Sequence, residues 1–233
     1  MMYTYKSIVD IMGKLNNITI NLCVRGIYNM GKIDPRVIKT RKKLRQAFLD
    51  LLKTRSLSEM NIKDLTNQAG VTRGTFYLHY RDKDTFIETI MEEIIEDFYE
   101  SVVEYIPYQG DEEKQIPRIV LDRVFAYIGN SPEFFVTLLN ENDAEDYRVL
   151  FSERLYDYVL AHVNYGNSIP VRKMPKELVN NFVVYSLLGI SNAWVSEGQI
   201  YANHYIAAMV SKMYRSELFI EVGLSDFFVS ETL

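Results

Sequence analysis

Apolar residues recur at helical spacing along most of this 233-residue chain. Asp34-Pro35 supplies a cap and a first turn, and opens a helix to about Lys53 whose apolar stripe is Leu44, Ala47, Phe48 and Leu51. A shorter helix follows over Asn61–Ala69, with Ile62, Leu65 and Ala69 on one face. Gly70-Val71 ends it, glycine being the residue that adopts a left-handed C-cap at little cost. Thr72 is the next N-cap, and from Arg73 to Tyr80 a further short helix carries Phe76 and Tyr80, four apart, on its inward face. Asp82 caps a longer helix from Lys83 to about Glu104, with Phe86, Ile90, Ile94 and Phe98 as its stripe.

Beyond a break at Pro107–Asp111 the spacing predicts helices over 114–129, 132–140, 143–163, 175–197 and 200–215. They are separated by Gly129-Asn-Ser-Pro132, Asn140-Glu-Asn-Asp143, Gly166-Asn-Ser-Ile-Pro170 and Gly198. No segment sustains the alternation of a half-buried strand, and the expected fold class is all-α. The expected organisation is a head over 30–82, a connecting helix over 83–106 and a helical body over 107–233.

Two short helices joined by a tight Gly-containing turn predict a helix-turn-helix, whose second helix lies in the major groove of DNA. With Phe76 and Tyr80 turned inward, Thr72, Arg73, Gly74, Thr75, Tyr77 and His79 are left for DNA. Arginine suits guanine O6 and N7, and threonine or tyrosine can meet a thymine methyl or a phosphate. Gly74 lets the helix approach the groove closely. Lys83, with the backbone amides of its helix start, makes a phosphate site. Asn61 caps the first helix of the pair at the same edge. Arg41 stands among Arg36, Lys39, Lys42, Lys43 and Arg45, a basic run that either reaches phosphates or forms a solvated face.

The net charge of −5 argues against a nucleic-acid partner until its distribution is considered. Residues 32–83 hold 13 Lys/Arg against 5 Asp/Glu, whereas residues 84–233 hold 10 against 25. A basic head on an acidic body suits a DNA-binding domain joined to a regulatory one.

The run Gly70-Val-Thr-Arg-Gly-Thr-Phe-Tyr-Leu-His-Tyr80 with Lys83 resembles the recognition region of the TetR family of bacterial transcription regulators. The resemblance reaches back through Arg41–Leu52, which is similar to that family's first helix, and covers about residues 34–90. Asn61 stands where threonine is common, and Thr66 where alanine is common. The resemblance implies a homodimeric, ligand-responsive repressor that binds a palindromic operator, in the cytoplasm, with double-stranded DNA, a second copy and a small apolar effector as partners. An activator or coactivator that acts through a protein partner is the alternative.

Several aromatic residues of the body, Tyr127, Phe135, Phe151, Tyr185 and Trp194 among them, line an apolar effector cavity or simply pack the core. Ser186, Gly189 and Ala193, with Tyr205 on the next helix, form a row that brings two helices close, either across a dimer interface or within one subunit.

Cys23 is the only cysteine, which excludes an intramolecular disulfide and suits a reducing cytoplasm. No apolar run reaches the length of a membrane span, and no membrane partner is expected. No nucleophile elbow, P-loop, HExxH or CxxC occurs, and His79, His162 and His204 lie far apart, so neither an enzyme nor a metal or other cofactor is expected. Residues 1–29 precede the basic helix without a motif. Either translation begins at Met30 or they form an N-terminal arm.

Overall fold

The computed structural model describes residues 34–108, 111–165 and 175–231. The expectations for residues 1–29, Cys23, Met30 and the Gly166–Pro170 break fall outside these residues. Two compact units divide the chain at Leu44/Arg45. Of the first, the described residues are 34–44, the start of helix α1 (Pro35–Leu51). They are mostly exposed, with Leu44 buried.

The second unit begins with the rest of α1 and two short helices, α2 (Ile62–Ala69) and α3 (Arg73–Tyr77). Capping residues fix their ends. The Asn61 side chain accepts from the Asp64 amide at 3.0 Å. Gly70 closes α2 at φ 62°, the left-handed region where a side chain is strained. Thr72 caps α3 by accepting from the Thr75 amide at 3.1 Å. Phe48, Phe76, Tyr80 and Phe86 are buried together, with Phe86 meeting Tyr80 at 4.9 Å and Phe76 at 5.4 Å between ring centroids.

Asp82 starts α4 (Lys83–Val102), accepting from the Thr85 amide at 2.8 Å. That bond and the Arg81 guanidinium hold its carboxyl down at about 2. The inner face of α4 buries Phe86, Ile90, Ile94 and Phe98, as the spacing predicts.

At Val103 the chain departs from the all-helical expectation for the body. Strand β1 (Val103–Tyr108) turns back as β2 (Asp111–Val120), and β3 (Phe228–Val229) lies parallel to β2 through Ile119 and Val120. The sheet order is β1-β2-β3. The helix expected over 114–129 therefore begins only at Leu121. Two prolines hide the hairpin, since a proline inside a run argues against a strand. Pro107 sits on the outer strand beside an irregularity in the register, where a missing N–H costs little. Pro117 pairs with Tyr105, and its carbonyl accepts from His162 Nδ1 at 2.7 Å. The Arg118–Glu104 ion pair ties the two strands across the ladder.

The body otherwise consists of helices α5 (Leu121–Asn130), α6 (Pro132–Asn140), α7 (Glu145–Tyr165), α8 (Lys176–Ser196), α9 (Asn203–Tyr214) and α10 (Glu217–Glu221), with a short 3-10 turn over Asn142–Ala144. The fold is all-α in class, with the small sheet as its one addition among the described residues. His162 is buried on α7; its Nε2 lies 3.1 Å from Asp226 Oδ1, and this bond lowers the Asp226 carboxyl below its usual range.

Helix α8 corrects a second expectation. From Glu177 to Ser196 it is long and apolar enough to cross a membrane, by length and composition. A buried face accounts for part of that composition. One face buries Val183, Val184, Leu187, Leu188 and Val195, with Asn180 and Ser191 among them. The other leaves Leu178, Phe182 and Tyr185 exposed.

Candidate nucleic-acid interface

Helix α3 is only five residues long, so its exposed face is set by where Phe76 goes. Phe76 is fully buried and Tyr80, one turn on, nearly so. Every side chain pointing the other way is offered to a partner. Thr72, Arg73 and Gly74 are exposed, Thr75 and His79 half-buried, and Tyr77 is 55% exposed with its ring edge-on to Phe76 at 5.6 Å. Thr72 and Thr75 exchange a hydroxyl bond at 2.9 Å, which fixes both rotamers at the start of the helix. Arg73 has no ion-pair partner among the described residues, and its guanidinium is available to an acceptor from outside.

Gly74 has room around it: a Cβ added there meets only Thr72 Oγ1, at 3.7 Å. Internal packing therefore gives no reason for a glycine inside this helix, where alanine is more favourable by about 1 kcal/mol. Close approach of an external surface supplies one.

Of the other residues expected at DNA, Asn61 is committed to its cap, its amide also donating to Asp64 Oδ2 at 2.6 Å. Lys83 is half-buried, and its ammonium donates to the Ser58 carbonyl at 3.4 Å. It is less free than its position suggests, though an ammonium keeps two further donors. Arg41, in the first unit, is exposed on α1. Sequence reasoning missed Leu78, which caps α3 and is 83% exposed. The one available signal was its position two residues from each of two inward-facing aromatics.

The residues expected to line an effector cavity do not gather in one place. Phe135, Phe151 and Tyr127 join Phe98 in a packed cluster, with centroids 5.0 to 5.6 Å from Phe98. Tyr185 stands 65% exposed on α8. Trp194 is buried elsewhere, edge-on to Phe125 at 5.3 Å and donating to the Tyr201 carbonyl at 3.0 Å. An apolar groove of about 240 Å³ lies instead between α8 and α10, lined by Leu178, Val179, Phe182, Val183, Leu218, Phe219 and Val222.

The row expected at a close helix crossing divides. Gly189 and Ala193 are exposed, and a Cβ on Gly189 meets nothing within 4 Å. Ser186 turns inward, donating to the Val183 carbonyl and sharing a 2.9 Å bond with the Tyr214 hydroxyl. Tyr205 is 48% exposed and stacks on Tyr201.

Residues 45–90 match the family of bacterial regulatory proteins called tetR, and residues 115–216 match a transcriptional regulator C-terminal region of the TetR type. Over 62 residues the chain is 37% identical to an uncharacterized HTH-type transcriptional regulator, YxbF, of Bacillus subtilis (strain 168). That match takes in 26% of this chain and only 16% of the relative. The fold is similar to a TetR transcriptional regulator of Streptococcus agalactiae 2603V, with a TM-score of 0.54, 18% identity and coverage of 83% of this chain and 97% of that one. A tetR-family regulator of Streptomyces coelicolor gives a TM-score of 0.50 and 21% identity over 80% of this chain and 91% of the other.

Proposed function

Since the chain belongs to the TetR family of bacterial transcription regulators, we propose that it acts as a repressor, binding a palindromic operator as a homodimer and leaving it when a small apolar effector binds. The observation that carries the DNA assignment is the exposed face of α3, where an unpaired Arg73 stands beside a Gly74 that internal packing does not require. Arg73 would read guanine, Thr72, Thr75, Tyr77 and His79 would fix the helix in the groove, and Lys83 would meet the backbone.

Two such helices in one dimer would enter major grooves on one side of the duplex, about 34–36 Å apart. The exposed stripe Leu178, Phe182, Tyr185, Gly189 and Ala193 of α8, continued by Tyr205 on α9, is the face that a second copy would cover. The apolar groove between α8 and α10 is better placed for an effector than the packed Phe98 cluster, because it has space to give. An effector acts only if it binds one arrangement of the two heads better than the other.

The deciding experiment is recovery of genomic fragments on the purified full chain, followed by binding titrations on the enriched duplex. Enrichment of one palindromic sequence, bound with a steep salt dependence, is the expected result. Binding with no sequence preference would rule out the operator.

A further inference from the structure

Leucine is normally a core residue, yet Leu78 is 83% exposed, more than any other large apolar side chain among the described residues. It is held in that position. Its φ and ψ of −70° and −22° are helical, and its N–H donates to the Gly74 carbonyl at 3.2 Å, so Leu78 lies one turn beyond Gly74. At about 100° per residue, Leu78 points roughly opposite both Phe76 and Tyr80, and Gly74 falls within about 40° of it. The pair Gly74–Leu78 therefore forms the crest of the face that α3 turns away from its own core.

That crest has a bare backbone at one end and a branched apolar side chain at the other. Leucine donates and accepts no hydrogen bond, so it contributes nothing to a phosphate and cannot read the donors and acceptors of a base edge. One apolar group is offered in the major groove of DNA, the 5-methyl of thymine. With Gly74 allowing the helix to sit deep, the Leu78 methyls are the atoms that reach the groove floor.

We propose that Leu78 is a specificity-determining residue that packs on a thymine methyl, fixing an A·T pair at one position of each half-site. The proposal rests on reading α3 as the DNA-facing helix. It adds to that reading a particular base and the group on it that is recognised.

The test uses the full chain and a pool of random-sequence duplexes. Wild type and Leu78→Ala are each taken through selection, and their affinities for the wild-type winner are measured. Each thymine of the winner is then replaced singly by deoxyuridine, which removes the methyl and leaves every hydrogen-bonding group in place. At one position per half-site, deoxyuridine should weaken wild type about fourfold, the effect of leaving one methyl group unburied. Leu78→Ala should bind the parent duplex more weakly and be indifferent to deoxyuridine at that same position. Its selected sequences should lose the thymine there. If Leu78→Ala binds like wild type, or keeps the wild-type response to every deoxyuridine, the proposal fails and the DNA-binding head stands. If wild type itself enriches no sequence, the DNA reading fails and this proposal with it.

Discussion

Gly74 is a residue whose two effects can be separated by one substitution. Gly74→Ala should stabilise α3, by up to about 1 kcal/mol, because a helical glycine is replaced without a clash. The same methyl should hold the helix off DNA and weaken operator binding. Thermal melting and a binding titration on one preparation give both numbers; a variant that gains stability and keeps full affinity would remove the reason given for the glycine. Arg73→Ala should cost about 1–3 kcal/mol and relax one position per half-site, whereas Lys83→Ala should weaken all sequences alike and flatten the salt dependence. Identical behaviour of the two would undo that division of labour. Asp82 sets an acid limit on the joint between α3 and α4. Its carboxyl is held at about 2 against an ordinary value of 3.8, so its contribution is fully present above pH 4 and disappears as pH falls towards 2. Asp82→Asn keeps a capping oxygen and should lose stability less steeply over that interval; an unchanged acid profile would assign it to other carboxylates.

Helix α8 carries the element on which assembly should depend. Gly189 has open space where a side chain would go, so Gly189→Leu disturbs nothing inside one subunit. In a dimer that closes over this stripe, the added side chain should overpack the crossing and yield monomers with undiminished helicity. Light scattering that still finds a dimer would place the interface on another face. The helix also shows what its residues did and did not disclose. Spacing alone gave its length but not its buried face, which the structure assigns to Val183, Leu187 and Leu188. It did not distinguish Ser186 from Gly189, since both are small and only the Tyr214 hydroxyl decides that one points inward. Trp194 was as ambiguous: aromatic side chains suit a cavity wall and a packed core alike, and in the structure it lies buried, edge-on to Phe125. The strands were hidden for a different reason. Pro107 and Pro117 are poor strand residues by composition, and neither the register irregularity beside Pro107 nor the bond from distant His162 to the Pro117 carbonyl has a signature in the local sequence. The caps of the helix-turn-helix, by contrast, were legible, because Asn61, Gly70, Thr72 and Asp82 each act on neighbours three or four positions away, although α3 ends at Tyr77 and not at Tyr80.

Across the second unit, polar contacts tie the head to the body and to the connecting helix α4. The Ser58 amide donates to Asp143 Oδ2 at 2.8 Å, and Arg45 pairs with Asp97 at 2.5 Å. Both lie at least partly in solvent, where such pairs contribute about 1 kcal/mol or less. Asp143→Ala should speed hydrogen exchange at the Ser58 amide while leaving the core of the head protected; unaltered exchange would mean that the loop is anchored by something else. The β2–β3 pairing has a further consequence, one of order in time. Ile119 meets Phe228 across more than a hundred residues of chain, whereas each helix-turn-helix contact in 61–86 spans a few dozen at most. Contacts so distant in sequence form slowly, and during synthesis cannot form until the later strand has left the ribosome. A nascent molecule should therefore complete its DNA-reading helices while its sheet is still one strand short.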